Sequence, residues 1–171
     1  MKQALQPLIG LPLWSMGRAG SLIWLQFGQK RRVKDWFGNQ KTKTVGEYAL
    51  HLQTQWRLTQ DSRILVGRQD MYLPTNPRLH PDKFDWDQPG LNRCDRTLHT
   101  LFRRNQQPWI VQAVDTDSFG GIKLEFADGQ MLDTFTAGTT RGELWRLFQA
   151  YKNVPHFVVR LDQSGAAYIE S

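Results

Sequence analysis

The chain has 171 residues, 40% hydrophobic and 22% charged, which fits one globular domain spanning residues 1–171 and excludes collagenous, low-complexity and intrinsically disordered classes. Its one cysteine, Cys94, excludes an internal disulfide framework and a cysteine-rich zinc module and fits a reducing, cytoplasmic setting. The net charge of +6 is uneven: 17 basic and 8 acidic residues lie up to Arg104, 5 and 8 beyond it, so the first two thirds carry a field that attracts polyanions and acidic surfaces.

The apolar stretch Leu5 to Trp14 follows Lys2 as in a signal peptide, but Pro7, Gly10 and Pro12 interrupt it, and a retained N-terminus is expected. No window reaches the roughly 18 continuous apolar residues of a membrane-spanning helix, so no membrane insertion is expected. Pro12 to Arg18 and Ser21 to Gly28 flank a break at Ala19 and Gly20, which predicts a strand pair. Gln29 to Val45 is polar and strongly basic and reads as a loop or excursion.

Strict alternation from Glu47 to Leu58 puts Tyr48, Leu50, Leu52, Trp56 and Leu58 on one face, the pattern of one long half-buried strand. Ile64 to Tyr72 rises again after Gln60, Asp61 and Ser62, predicting a hairpin. Pro74 to Pro89, rich in proline and aspartate, reads as a long loop. Leu91, Cys94, Leu98, Leu101 and Phe102 then share one helical face, with a start at Asp87 or Gln88 ahead of Pro89 and an end near Asn105 to Pro108.

Trp109 to Asp117, Ile122 to Phe126 and Gln130 to Phe135, separated by Gly120-Gly121 and Asp128-Gly129, predict a three-stranded meander. Thr140-x-x-Glu143 has the form of a capping box, and Leu144, Leu147, Phe148 and Tyr151 follow at helical spacing, favouring a short helix with a strand as the alternative. His156 to Leu161 and Ala166 to Ile169 predict a closing hairpin. These elements give an α+β fold: a mainly antiparallel sheet of about eight to ten strands, curved or in two layers, with one principal packed helix and short peripheral helices.

On a continuous strand the odd face aligns His51, Gln53, Gln55 and Arg57 at ~6.6–6.8 Å intervals. Such a row, with Arg68 and Asp70 across the hairpin, is a candidate polar binding groove; the turn leaves the facing register open, and Arg57 gains a cross-strand partner only in the register that puts Asp70 on that face. The plain alternative is the wet side of an antiparallel sheet. Asp95 and His99, four apart on the helix, form a carboxylate–imidazole pair that lacks a nucleophile or metal. No Gly-x-Ser-x-Gly elbow is present, and Cys94 falls on the apolar stripe.

Asp82, Asp85 and Asp87 beside His80 offer oxygen ligands without the glycine and distal glutamate of a calcium loop, and His51, His80, His99 and His156 lack zinc spacing. No metal and no cofactor are expected. Lys30, Arg31, Arg32 and Lys34, with Lys41 and Lys43 beyond, surround Trp36 and Phe37, a mixture that neutralises phosphates and stacks bases; Arg93 and Arg96 add charge on the helix back. Trp24, Trp56 and Trp109 read as core, and Trp86 as an exposed recognition residue.

Gly46-Glu47-Tyr48-Ala49-Leu50-His51-Leu52-Gln53 with Trp56-Arg57, then Gly129 to Phe135, Leu144-Trp145-Arg146-Leu147-Phe148 and His156-Phe157-Val158-Val159, resembles small bacterial proteins of unassigned function of the immunity or accessory type. The resemblance implies a non-catalytic partner of another bacterial protein, makes the Leu144 segment a strand and transfers no catalytic residue. The leading expectation is therefore a non-catalytic binding protein that recognises a protein or small ligand through the polar strand face and the Pro74 to Pro89 loop. The alternatives are nucleic-acid binding through the basic segment and an unrecognised hydrolase.

Overall fold

A computed structural model describes residues 1–34, 42–103 and 107–170. Strand makes up 47% and helix 15%, so sheet pairing dominates the architecture. The first helix, α1 (Lys2–Leu5), and a following 3₁₀ turn bury Leu5 and Leu8. Then come β1 (Pro12–Ala19), β2 (Leu22–Phe27), β3 (Arg31–Lys34), β4 (Thr42–Val45), β5 (Tyr48–Leu52), β6 (Gln55–Gln60) and β7 (Arg63–Gly67). Helix α2 (Arg93–Phe102) precedes β8 (Trp109–Thr116), β9 (Ile122–Phe126), β10 (Met131–Phe135), β11 (Gly142–Phe148), β12 (Phe157–Leu161) and β13 (Ala167–Glu170). Among the described residues no helix is long and apolar enough to cross a membrane.

Eleven strands form one antiparallel sheet in the order β13-β12-β11-β5-β2-β1-β8-β9-β10-β6-β7. In that order β5 and β6 stand far apart, yet only Gln53 and Thr54 join them in sequence. The three residue steps from Leu52 to Gln55 reach no more than ~11 Å, so the sheet curls back on itself into two layers. The layers are β13-β12-β11-β5-β2-β1 and β8-β9-β10-β6-β7, hinged where β1 meets β8 at only Pro12↔Ile110 and Leu13↔Trp109. Leu25, Leu50, Leu52 and Trp145 from one layer and Trp56, Leu58, Leu124, Phe126 and Leu132 from the other fill the space between.

The predicted single strand from Glu47 to Leu58 is thus two strands in different layers. The alternation concealed the corner because burial keeps its period of two through it: Thr54, 7% exposed, points inward with Leu52 and Trp56. Its hydroxyl donates to the Phe135 carbonyl at 2.7 Å, and the Gln53 N–H donates to Leu144 O at 2.8 Å, so backbone groups at the bend stay satisfied.

The Leu144 segment is strand β11, not the favoured helix. A bulge between Glu143 and Trp145 buries Leu144 and Trp145 consecutively and shifts the inward set by one, which imitates helical spacing over Leu144, Leu147 and Phe148. Pairing with β5 and β12 then overrides local propensity. Helix α2 starts later than the sequence indicates: Asn92 is its cap, the Oδ1 atom accepting the Asp95 N–H at 2.8 Å. Cys94 and Leu98 point from it into the core, and burial pushes the Cys94 thiol up to about 12.

The meander and the closing hairpin form as the alternation predicts. Strand β7 ends at Gly67, where the Asp70 carboxylate accepts the Gly67 N–H at 2.9 Å and turns the chain into a 3₁₀ segment. The basic excursion is more ordered than a loop: β3 and β4 pair as a separate two-stranded ribbon continuing from β2 and β5. A glycine at position 46 is needed at that junction, because a Cβ there would lie 2.6–2.8 Å from the Phe27 and Tyr48 backbone atoms.

Candidate functional site

The fold does not keep His51, Gln53, Gln55 and Arg57 in one row, because the corner sends His51 to one layer and Arg57 to the other. Arg57 instead faces Asp133 at 3.4 Å on the neighbouring β10, and its partner across β7 is Gly67 rather than Asp70. Asp70 is turned away by the Gly67 N–H and lies 3.6 Å from Arg93 on α2. Of the two registers open to the hairpin, the one that pairs Arg57 with Asp70 does not form. Gln53, Gln55 and Arg68 do meet, in a polar cleft of about 470 Å³ at the corner that Glu143 also lines; Arg68 Nη1 donates to Ser21 O at 3.1 Å.

Asp95 turns to Arg18 rather than to His99. The Arg18 side chain is 5% exposed and its fork is saturated: Nε and Nη2 reach the two Asp95 oxygens at 2.7 and 3.0 Å, Nη1 reaches Asp87 at 2.8 Å, and carbonyls of Gly20, Trp86 and Asp87 take the rest. The Asp95 hydrogen bond is the main cause holding the Arg18 pKa above its ordinary value. This network ties the loop before α2 to β1. It draws in Trp86, which is half-buried instead of exposed, packed on Tyr72 at 5.3 Å with Arg18 5.7 Å over its ring.

Asp87 serves Arg18, Asp85 accepts the Asp87 N–H, and Asp82 lies beside His80. Among the described residues no three His, Cys, Asp or Glu side chains gather as a metal site. Arg96 borders the open cleft of about 640 Å³ beside Arg18, and both Arg93 and Arg96 border another against Leu73 and Pro74.

The ribbon concentrates charge. Register pairs Arg31 with Val45, Arg32 with Thr44, Val33 with Lys43 and Lys34 with Thr42, so one side carries Arg32, Lys34, Thr42 and Thr44, all exposed. The other side holds Val33 and the buried Val45 with Arg31 and Lys43. Neither strand contains a carboxylate. Lys30 sits 4.8 Å over the Trp14 ring and Arg31 4.6 Å over Tyr151; these aromatic contacts fix the root of the ribbon and keep both cations charged. Trp36 lies outside the described residues.

Sequence reasoning missed the sheet face beside this ribbon. Register places Gly17, Trp24, His51, Arg146 and Val158 in one row across β1, β2, β5, β11 and β12, on the side away from the core. Trp24 lies across Gly17, where a Cβ would overlap its ring, and it is half-buried rather than core. His51 meets Phe148 edge-on at 4.8 Å, and Phe148 stacks on the exposed His156 at 4.3 Å.

Arg146 makes a two-pronged pair with Glu143. Burial alone would raise the Glu143 carboxyl, but hydrogen bonds from Arg146 and Gln53 hold it below its ordinary value. Desolvation first and the Arg146 charge second push His51 down to about 4 and lower His156 too. Both imidazoles are neutral rings at physiological pH. Only strand order unites Trp24, His51 and Arg146; no local motif announces them.

Comparison of the chain with models of known protein families, with curated proteins and with solved structures finds no match.

Proposed function

We propose that this protein binds nucleic acid, with the β3–β4 ribbon as its contact to the phosphate backbone. One observation carries the reading: Arg31, Arg32 and Lys34, with Lys30 at the root, stand on a two-stranded ribbon free of carboxylates and make no ion pair among the described residues. Arg31 donates to Gln29 Oε1 at 3.1 Å and, like Lys30, rests on an aromatic ring, contacts that supply no counter-charge, so a polyanion releases counterions when it binds there. The hydroxyls of Thr42 and Thr44 beside Arg32 and Lys34 add neutral donors to phosphate oxygens.

Titration of a labelled oligonucleotide at several salt concentrations tests the reading. Four phosphate contacts give a slope of log K against log salt of about −3 to −4, and Arg32→Ala with Lys34→Ala lowers its magnitude by about 1.4 to 1.8. Salt-independent binding, or wild-type affinity and slope in the double variant, refutes it.

A second reading, recognition of a small polar ligand or a protein, rests on the corner cleft where Gln53, Gln55, Arg68 and Glu143 converge. It requires that Arg68→Ala abolish capture of that partner while the salt-dependent binding above is unchanged.

A further inference from the structure

We infer that the nucleic acid is single-stranded and that its bases lie on the outer face of β2, β5, β11 and β12, against Trp24 and His156. The inference rests on the nucleic-acid reading of the ribbon and adds the part of the site that distinguishes one strand from two.

The geometry joins the two parts. Strands β2 and β5, which carry Trp24 and His51 side by side, are the same two strands that run on into β3 and β4. The ribbon is fixed at the junction, where Gly46 N–H donates to Gln26 Oε1 at 2.6 Å. Arg31 on Tyr151 ties it to the segment after β11. A backbone held by the ribbon therefore continues directly over the sheet face.

That face offers rings of the kind bases stack on. Gly17 leaves room for the Trp24 indole to lie flat against β1, which turns its other side outward. His156 is exposed and stacked at an interplanar angle of 20° on Phe148, so one side of its ring is backed and the other is open. The His51 and Arg146 side chains lie between the two platforms, one strand apart, with Arg146 held in place by Glu143.

Neutral histidines suit stacking rather than phosphate pairing, so the chemistry divides: charge on the ribbon, π surfaces on the sheet. Bases inside a duplex are stacked on one another and present edges only, whereas an unpaired strand presents faces. An aromatic sheet face beside a cationic track accordingly selects the unpaired form.

Fluorescence anisotropy with labelled oligodeoxythymidine, oligouridine and a duplex of the same length, at matched salt, tests the inference on the full chain. Single strands are expected to bind at least about tenfold more tightly than duplex. Trp24→Leu and His156→Ala each weaken single-strand binding by about tenfold or more, leaving duplex binding and the salt slope unchanged. The two single strands differ in the sugar and in the thymine methyl, and the tighter of them shows which combination the site prefers.

Thermal unfolding confirms that each variant is folded. Should Trp24→Leu not fold, the exposed His156→Ala decides alone. Equal affinity for duplex and single strands, or wild-type single-strand binding in both variants, overturns the inference while ribbon-dependent binding survives. Absence of salt-dependent binding to any of the three oligonucleotides overturns the ribbon reading with it.

Discussion

Replacing Arg18 with methionine keeps most of the side chain's volume and removes its fork, and it tests whether the Arg18 network is what holds the loop before α2 in place. The side chain is 5% exposed and its principal partner, Asp95, 16%, so the substitution leaves a largely desolvated carboxylate without its cation. Breaking a buried pair in this way costs about 3–5 kcal/mol.

Two features put Arg18→Met at the lower end of that range. Asp95 Oδ2 keeps hydrogen bonds from Gly90 N–H at 2.8 Å and Asn92 Nδ2 at 3.2 Å, and Asp87, 57% exposed, returns to water at little cost. The expected loss is about 3 kcal/mol, a fall of about 1.5 M in the urea midpoint at an m-value of about 2 kcal/mol/M. Arg18→Lys, which keeps charge but not the planar fork, falls between wild type and Arg18→Met. Limited proteolysis localises the effect, with cleavage between Asn76 and Gly90 accelerating before global unfolding. A stability change under about 0.5 kcal/mol in Arg18→Met, with unchanged cleavage, refutes the tether.

Three further outcomes follow from particular residues. Unfolded His51 has a pKa near 6.5 while desolvation and Arg146 hold the folded group down to about 4. The unfolded chain takes up a proton that the folded state refuses, so this contribution is complete above about pH 6.5 and lost as pH falls towards 4. Discounted for partial exposure it amounts to about 1–2 kcal/mol; urea unfolding across that window in a His156→Ala background, with and without His51→Phe, measures it. At the β6–β7 turn Asp61 and Ser62 have φ of 49° and 63°, and Ser62→Gly is expected to gain about 0.5–1 kcal/mol by relieving the left-handed strain, read as a rise in Tm. Gly17→Ala forces its new methyl into the Trp24 ring and is expected to cost about 1–3 kcal/mol; an unchanged unfolding midpoint contradicts the seating of that indole on β1.

The hairpins were legible because each is decided within a dozen residues: alternation sets the faces of β9 and β10, and Asp128-Gly129 supplies the turn, Gly129 having a φ of 81°. What escaped was long-range. The alternation from Tyr48 to Leu58 is real, and Leu50, Leu52, Thr54, Trp56 and Leu58 are all buried, but a period of two describes faces, not layers. A corner that preserves the inward phase leaves no mark on it. The β11 bulge did the reverse, adding one buried residue and turning a strand pattern into apparent helix spacing.

The same distinction governs the candidate site. Charge density is a property of neighbours in sequence, so Lys30, Arg31, Arg32 and Lys34 stand out in the bare chain, and the ribbon changes only how they are presented. A stacking face is a property of strand order. Trp24 and Arg146 become neighbours of His51 because β5 pairs with β2 on one side and β11 on the other, and nothing local to any of the three specifies those partners. Alternation groups His51 with residues along its own strand, whereas its neighbours on the sheet face lie across the strands, perpendicular to that axis. A polar or aromatic residue on an alternating strand therefore acquires its partners from the sheet, and a single sequence offers only its phase.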